Sequence, residues 1–169
     1  MMKQKLLWMA MSLVMFFAAC NRDEKNLLGV YSYKVSGELV LVDSLGHGSS
    51  LFIHRNGQMN VLKDKSQPHG LLITMNEMNG GCYTFPARFQ GDSILIEPHQ
   101  FPLQILSSDG LQSIFSDSVS SFVYYVNAAG SGHLNDRVLI IKEHWDGVRS
   151  DNASFTFRAS EMTVLAEKN

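Results

Sequence analysis

The feature that most constrains the fold of this chain is an alternation of apolar and polar residues with a period of two. Tyr31, Tyr33 and Val35, for example, are separated by Ser32 and Lys34, as residues on the two faces of a β-strand are. About eleven such segments follow one another at intervals of about 8 to 12 residues. The pattern predicts an all-β protein, because the sequence shows no regular alternation of strand and helix patterns.

Residues that favour turns indicate where these strands end. Asn56-Gly57 and Asp146-Gly147 are the strongest two-residue hairpin signals in the chain. The small, glycine-rich stretch 128–135 is interpreted as a turn between strands, because no helix pattern follows it that could make it a phosphate-binding loop.

Prolines and one helical spacing modify the pattern. Pro86 lacks a backbone N–H, so its strand should lie at an edge of the sheet or carry a bulge there. Residues 98–102 begin and end with proline and predict a corner. Residues 109–119 alone show apolar positions at helical spacing, which predicts either one short helix or a loop.

A long antiparallel meander with one apolar face is most stable when it closes on itself, because closure removes the exposed edges. We therefore expect a β-barrel, with a β-sandwich as the alternative. Gly29-Val30-Tyr31 resembles the Gly-x-Trp opening of lipocalins, with tyrosine in place of tryptophan. The resemblance implies a lipocalin-like (calycin) barrel.

The first residues have the pattern of a secretion signal. Lys3 and Lys5 precede an apolar run from Leu6 to Phe17, and two alanines stand directly before Cys20. The run is shorter than the roughly 18 to 20 apolar residues that span a bilayer. The alanines and the cysteine resemble the lipobox of bacterial lipoproteins, which implies that Cys20 is acylated and becomes the mature N-terminus.

The predicted organisation is a signal peptide over residues 1–19, a lipidated tether over residues 20–26 and a single domain over residues 27–169. Asp23-Glu24 resembles the acidic export signals of some Gram-negative lipoproteins, although a solvated linker explains the pair equally well. The expected location is the outer membrane, on its periplasmic face or at the cell surface.

Charge and cysteine content restrict the partners. The signal holds two of the 14 basic residues and no acidic ones, so 12 basic residues face 16 acidic ones afterwards, a net charge of −4. This charge argues against a nucleic acid partner. Cys82 is left without an intrachain partner if Cys20 is acylated, and we expect it to be a buried apolar side chain.

The sequence contains none of the common local motifs of hydrolases or zinc sites. The chain lacks a Gly-x-Ser-x-Gly elbow, Ser-x-x-Lys, His-x-x-x-His and Cys-x-x-Cys. Residues 143–146 form the densest polar cluster, with Glu143 and Trp145 expected on one strand face and His144 on the other, at a strand end running into a turn. We assign no catalytic residue, metal or cofactor and expect a protein that is not an enzyme.

Three tripeptides resemble the Asp-Ser/Thr-aliphatic sequon that one group of Gram-negative bacteria uses for O-glycosylation of envelope proteins. The serines are Ser44, Ser93 and Ser118. The same dipeptide also begins strands after turns, so possible O-glycosylation at these positions is set against a purely structural role.

Aromatic residues supply the remaining candidate site. If their faces point inwards, a barrel can hold an apolar ligand, although a small barrel can equally be filled by its own side chains. The candidate cavity residues are Tyr31, Tyr33, Tyr83, Phe85, Phe122, Tyr124, Phe155 and Phe157. The sequence thus predicts a lipid-anchored envelope protein that binds a small apolar ligand or a protein partner, or alternatively an accessory subunit of an outer-membrane assembly.

Overall fold

The computed structural model describes residues 24–78, 81–106 and 121–169, which form a closed antiparallel β-barrel. Each strand pairs with its neighbours in sequence, and the last strand pairs with the first. The strands are β1 (Gly29–Val42), β2 (Gly48–Asp64), β3 (Gly70–Glu77), β4 (Cys82–Gln90), β5 (Ser93–Leu106), β6 (Ser121–Asn135), β7 (Val138–Arg149) and β8 (Thr156–Lys168). The predicted all-β meander closing into a barrel is confirmed, and the sandwich alternative is not adopted.

The alternation in the sequence determines which side chains fill the barrel. Apolar residues at every second position point inwards and are almost completely buried, whereas the intervening polar residues face outwards. The largest fully buried side chains include Trp145, Tyr31, Tyr33, Phe85 and Phe157. The interior is therefore occupied along its length by the protein's own side chains.

The strands are fewer and longer than predicted, because most of the glycine signals lie inside strands. Asn56-Gly57 lies within β2, where a Cβ on Gly57 would collide with the carbonyl oxygen of Asn76 on β3. Gly147 lies within β7, against the ring of Phe157. Both predicted hairpins are therefore wrong, since these glycines permit close approach of neighbouring strands instead of reversing the chain.

The glycine-rich stretch 128–135 is likewise part of strand β6. A Cβ on Gly130 would collide with the carbonyl oxygen of Lys142, and one on Gly132 would lie 2.7 Å from the carbonyl oxygen of Ile140, both on β7. The turn predicted here is wrong for the same reason as the two hairpins. The reversal follows at Asp136, which has a positive φ of 55°.

The predicted corner over residues 98–102 is also wrong. Strand β5 continues through it, and the shift in register between Ile96 and His99 forms a bulge that accommodates the first proline. The prediction for Pro86 is confirmed, because the backbone pairing of β4 with β5 stops at Ala87.

One end of the barrel, here called the plugged end, is covered by residues 24–28. Residues 24–27 form a helical turn, and the Leu27 side chain is 1% exposed. The Tyr31 hydroxyl donates to the Leu27 carbonyl oxygen at 2.7 Å, and the Lys168 ammonium donates to the Asn26 carbonyl oxygen at 2.7 Å. The segment is thus joined to the first and last strands.

Glu24 fixes the start of this segment. It is 4% exposed and accepts hydrogen bonds from Lys63 Nζ at 2.6 Å and His69 Nδ1 at 3.1 Å. Residues 24–26, which the sequence assigned to the tether, therefore pack against the barrel, because a charged pair offsets the lack of apolar groups. A free tether must end before Glu24.

Several predictions fall outside the described residues: the signal over residues 1–19, Cys20, the helix over residues 109–119 and Ser118. The expectation of a buried Cys82 is wrong, since its thiol is exposed. Cys82 opens β4 in the outward phase, opposite to Phe85 and Ala87. Within the described ranges, no helix has the length and apolarity needed to cross a membrane.

Candidate functional site: a gap between strands β4 and β5

The barrel wall is interrupted between β4 and β5. These strands pair from Ala87–Ile96 to Gln90–Ser93, near the plugged end, and no pairing is seen between the described residues beyond Ala87. Further along, residues 82–86 of β4 pair only with β3, and residues 99–106 of β5 pair only with β6. Two strand edges therefore face each other without a backbone ladder, towards the end opposite to the plug, here called the far end.

Prolines explain where the ladder stops. Pro86 is the first β4 residue beyond the paired region, and Pro98 and Pro102 lie on the β5 side. Proline cannot donate to a ladder, so a sheet tolerates it at edges and bulges. The sequence thus makes this seam the weakest part of the hydrogen-bonded wall.

Stacked rings hold the two edges together instead. The Tyr83 ring stacks on Phe101 with centroids 4.4 Å apart, and the Phe85 ring stacks on the His99 imidazole at 4.1 Å. Trp145 meets Phe101 edge-on at 5.1 Å. Side-chain contacts of this kind need no fixed backbone register, so the gap is closed by groups that can separate more easily than a ladder.

A cleft of about 260 Å³ opens at the gap. Its lining includes Arg55 from β2 and Glu77 from the end of β3, as well as Tyr83 and Gln104 from the two edges. Arg55 Nη2 crosses the interior to donate to the carbonyl oxygen of Gln104 at 2.8 Å. A charged side chain thus occupies part of the space that a ligand would enter.

Polar groups cluster behind this cleft. Burial raises the pKa of Glu77, and the nearby Arg55 guanidinium partly offsets it. Burial also raises the pKa of Tyr33, with a further contribution from the Glu77 carboxylate. The pKa of Tyr83 is raised well above its usual value by burial, then by Tyr33 and two carboxylates. Both phenols are therefore neutral hydrogen-bonding groups near pH 7.

The Tyr33 hydroxyl oxygen in this cluster and His99 Nε2 beside Phe85 are buried without a hydrogen-bond partner among the described residues. His99 Nδ1 lies 3.0 Å from the carbonyl oxygen of Glu97 and must carry the proton, since a carbonyl only accepts. Burial lowers the pKa of His99, so Nε2 is an unprotonated acceptor. Buried groups of this kind usually have a partner, which can be water or a ligand.

Glu143 lies deeper in the barrel. It is 5% exposed and accepts a hydrogen bond from Trp145 Nε1 at 2.8 Å. Burial raises the pKa of Glu143, and the bond from Trp145 opposes the shift. The prediction that these two residues share one face, opposite His144, is confirmed. The predicted strand end is wrong, since β7 continues to Arg149.

The eight predicted cavity residues do not line one cavity. Tyr31 lies at the plugged end, where burial raises its pKa to about 12. Tyr33, Tyr83 and Phe85 lie near the gap. Phe122 and Phe155 lie at the far end, where Arg149 Cζ is 4.4 Å from the ring centroid of Phe122 and 3.8 Å from that of Phe155. Tyr124 and Phe157 pack edge-on against each other at 5.5 Å.

Sequence reasoning missed Arg55 and Glu77. Each stands in a strand whose fully buried positions are all apolar, and neither belongs to a local motif. In a strand as short as β3, the sequence alone does not distinguish an inward-facing polar residue such as Glu77 from an outward-facing one. Only an accurate register, with Arg55 placed in the inward phase of β2, could have identified it.

The two described glycosylation candidates lie at turns. Ser44 is exposed between β1 and β2, beside Asp43, whose Oδ1 accepts from the backbone N–H of Leu45 at 2.8 Å. The Ser93 hydroxyl donates to Asp92 Oδ1 at 2.9 Å in the turn before β5. Glycosylation at either serine stays a prediction. Among the residues that the structure describes, no group of three or more His, Cys, Asp or Glu side chains is placed to hold a metal ion.

Comparisons with known proteins do not assign this chain to a family. No protein-family model matches the chain, and no curated protein matches it. Among solved structures, it is similar to one described as a redesigned beta barrel, with 12% identity over 88% of this chain and 96% of that one and a TM-score of 0.40. The class that the structure itself defines is a closed antiparallel β-barrel with an interrupted wall.

Proposed function

We propose that this chain is a lipid-anchored, lipocalin-like protein of the cell envelope that binds a small, largely apolar ligand at the gap between β4 and β5 and catalyses no reaction. The observation that carries the binding proposal is that Tyr33 Oη and His99 Nε2 are buried without a partner among the described residues, next to the rings of Tyr83 and Phe85 that close the gap. The lipobox-like sequence before Cys20 supports the anchor.

The surroundings define the chemistry of the ligand. Most of the wall around the gap is aromatic or aliphatic, with a few polar groups, as in typical small-molecule sites. His99 Nε2 can only accept a hydrogen bond, while the Tyr33 hydroxyl can donate or accept. The Arg55–Glu77 pair adds no net charge when both are ionised. A mostly apolar molecule that carries a hydroxyl group suits this set best.

The anchor would orient the barrel. Cys20 precedes Glu24 by four positions, which a fully extended chain spans with about 14 Å. The plugged end would therefore face the membrane, and the gap would open away from it. Glu24 is engaged by Lys63 and His69, which weakens its interpretation as half of an acidic export signal. The outer membrane is the proposed location, with its face left to experiment.

Ligand binding is tested on the full-length protein purified from native membranes. Solvent extraction and mass spectrometry should recover a small molecule in near-stoichiometric amount. Tyr33→Phe should lower its retention roughly fivefold, since one hydrogen bond is lost. Tyr125→Phe, which removes a hydroxyl on the outer wall, is the matched control and should change nothing. An empty protein, or equal retention in both variants, contradicts the proposal.

The anchor is tested by metabolic labelling with palmitate. The parent protein should be labelled and membrane-bound, and Cys20→Ser should abolish both properties. Cys82→Ser controls for the loss of a cysteine and should be labelled like the parent. An unlabelled parent protein would contradict the anchor while leaving the ligand experiment interpretable.

The alternative is an accessory subunit of an outer-membrane assembly. Leu45 and Met78, each 78% exposed, project from turns at the far end, which would point away from the membrane. Native electrophoresis of solubilised membranes would show the protein in a larger complex that Leu45→Lys disrupts. A protein that migrates alone in both forms favours the ligand binder.

A further inference from the structure

A second concave surface lies on the outside of the barrel, across β5, β6 and β7. It is a groove of about 450 Å³. Pro98 and Gln100 form one side, His144 and Asp146 form the other, and the small Ala129 lies between them. Register shifts next to His99 and Trp145 flank this stretch of β6, and such bulges bend the strands on either side.

Polar side chains cross the groove in a hydrogen-bonded ladder. Gln100 Nε2 donates to Asn127 Oδ1 at 2.8 Å, and Asn127 Nδ2 donates to Asp146 Oδ2 at 3.1 Å. These bonds fix the orientation of both amides. Each amide has a second N–H and spare acceptor capacity, and the carboxylate can accept further hydrogen bonds. The ladder therefore presents donors and acceptors that are held in place.

An aromatic ring stands next to this ladder. Tyr125 is 50% exposed and lies two positions before Asn127 on the same face of β6, about 7 Å along the strand. Its direct partners are Pro102 on β5 and Val148 on β7. The surface therefore combines an exposed aromatic ring with planar polar groups. The distance between them along β6 is about the width of one small ring.

We propose that this groove binds a neutral carbohydrate chain. One sugar ring would place its apolar C–H face on Tyr125, while the hydroxyls of the next would exchange hydrogen bonds with Gln100, Asn127 and Asp146. A sugar hydroxyl both donates and accepts, which matches the mixed capacity of the ladder.

Other ligand classes fit less well. The Asp146 carboxylate disfavours phosphate and other anions. A purely apolar ligand would cover the amides without replacing their hydrogen bonds to water, which is costly. An extended peptide would need a free strand edge, but β6 is paired on both sides here.

Affinity electrophoresis tests the proposal. Full-length protein, purified in a detergent without a sugar headgroup, is run in native gels that contain glycogen, laminarin, xylan or mannan. At least one polysaccharide should retard the parent protein. Gln100→Ala and Tyr125→Ala should each weaken the retardation roughly fivefold or more, since each removes one contact. Gln58→Ala, an exposed glutamine on the opposite strand β2, is the matched control.

Unchanged mobility of the parent protein in all four gels overturns the proposal. Equal retardation of the parent, Gln100→Ala and Tyr125→Ala overturns it as well. Tyr33→Phe should leave retardation unchanged, because Tyr33 lies inside the barrel, so this site and the interior site can fail independently.

Discussion

At the scale of single residues, Glu143 is an unusual choice for a barrel interior. Its carboxyl group is buried and accepts a hydrogen bond from Trp145 Nε1. Burial raises its pKa, so the folded protein holds on to the proton more strongly than the unfolded chain. The stability from this group is complete below the unfolded pKa and is lost as pH rises through the folded pKa.

Replacing Glu143 by glutamine should therefore stabilise the protein at pH 8 and have little effect at pH 4. Glutamine keeps an oxygen that can accept from Trp145 but has no charge to bury. Each unit of pKa shift corresponds to about 1.4 kcal/mol. Thermal unfolding of both proteins at the two pH values measures the difference. Glu38→Gln, on the exposed face of β1, should show no such pH dependence.

Gly130 allows strands β6 and β7 to approach each other closely. Gly130→Ala should cost more than about 2 kcal/mol in unfolding free energy, because the new Cβ meets backbone atoms of Lys142 and Glu143 that cannot move independently. Chemical denaturation measures the loss. Gly48→Ala is the control, since its Cβ would meet nothing closer than 3.6 Å; an equal loss in both would refute the close-approach argument.

At the scale of elements, the plug over residues 24–28 behaves as part of the barrel. Protein beginning at Glu24 should unfold like protein with the preceding residues, whereas protein beginning at Leu28 should lose about 2–5 kcal/mol. The second truncation removes the buried Leu27 and exposes a cavity. Denaturant titration of the two truncations gives the comparison. Equal stability would show that residues 24–27 contribute nothing.

The gap between β4 and β5 should be the first part of the wall to open. Hydrogen exchange followed by mass spectrometry should show lower protection over residues 82–86 and 99–105 than over 87–90 and 93–96, where the ladder is intact. The strands β1 and β2, paired along their whole length, provide the internal reference. Uniform protection around the barrel would contradict this prediction. It would mean that ring stacking stabilises the gap as well as backbone hydrogen bonds stabilise the rest of the wall.

At the scale of the whole molecule, Cys82 reports which side of the membrane the barrel occupies. Its thiol is exposed at the rim of the cleft, so the purified folded protein should react readily with a maleimide. A membrane-impermeant maleimide added to intact cells should label it only if the barrel is at the cell surface. Labelling that appears only after the outer membrane is permeabilised would place the barrel in the periplasm. Cys82→Ser is the blank.

The fold class could be predicted because alternation is a local property. Tyr31, Tyr33 and Val35 were assigned to one buried face from their spacing alone, and all three are buried. Strand ends were predicted less well, since Gly57, Gly130 and Gly147 look like turn residues in sequence. Their role depends on the backbone of a neighbouring strand, which local spacing does not contain.

The candidate sites show the same limit. The prolines at 86, 98 and 102 marked the region where the wall opens, but they did not say that β4 and β5 would face each other there. Arg55 reaches the gap from β2, across the interior from Gln104, and Glu77 reaches it from the end of β3. The groove on the outer wall needs the register of three strands before Gln100, Asn127 and Asp146 become neighbours.

By itself, the sequence determined the all-β class, the inward faces of the strands and the lipobox-like start, because these depend on residues close together in the chain. Only the tertiary structure decided the eight long strands, the plugged end, the interrupted wall and the two candidate sites. Barrel closure sets which distant residues meet, and packing against those residues overrides the local preference of glycine and proline for turns.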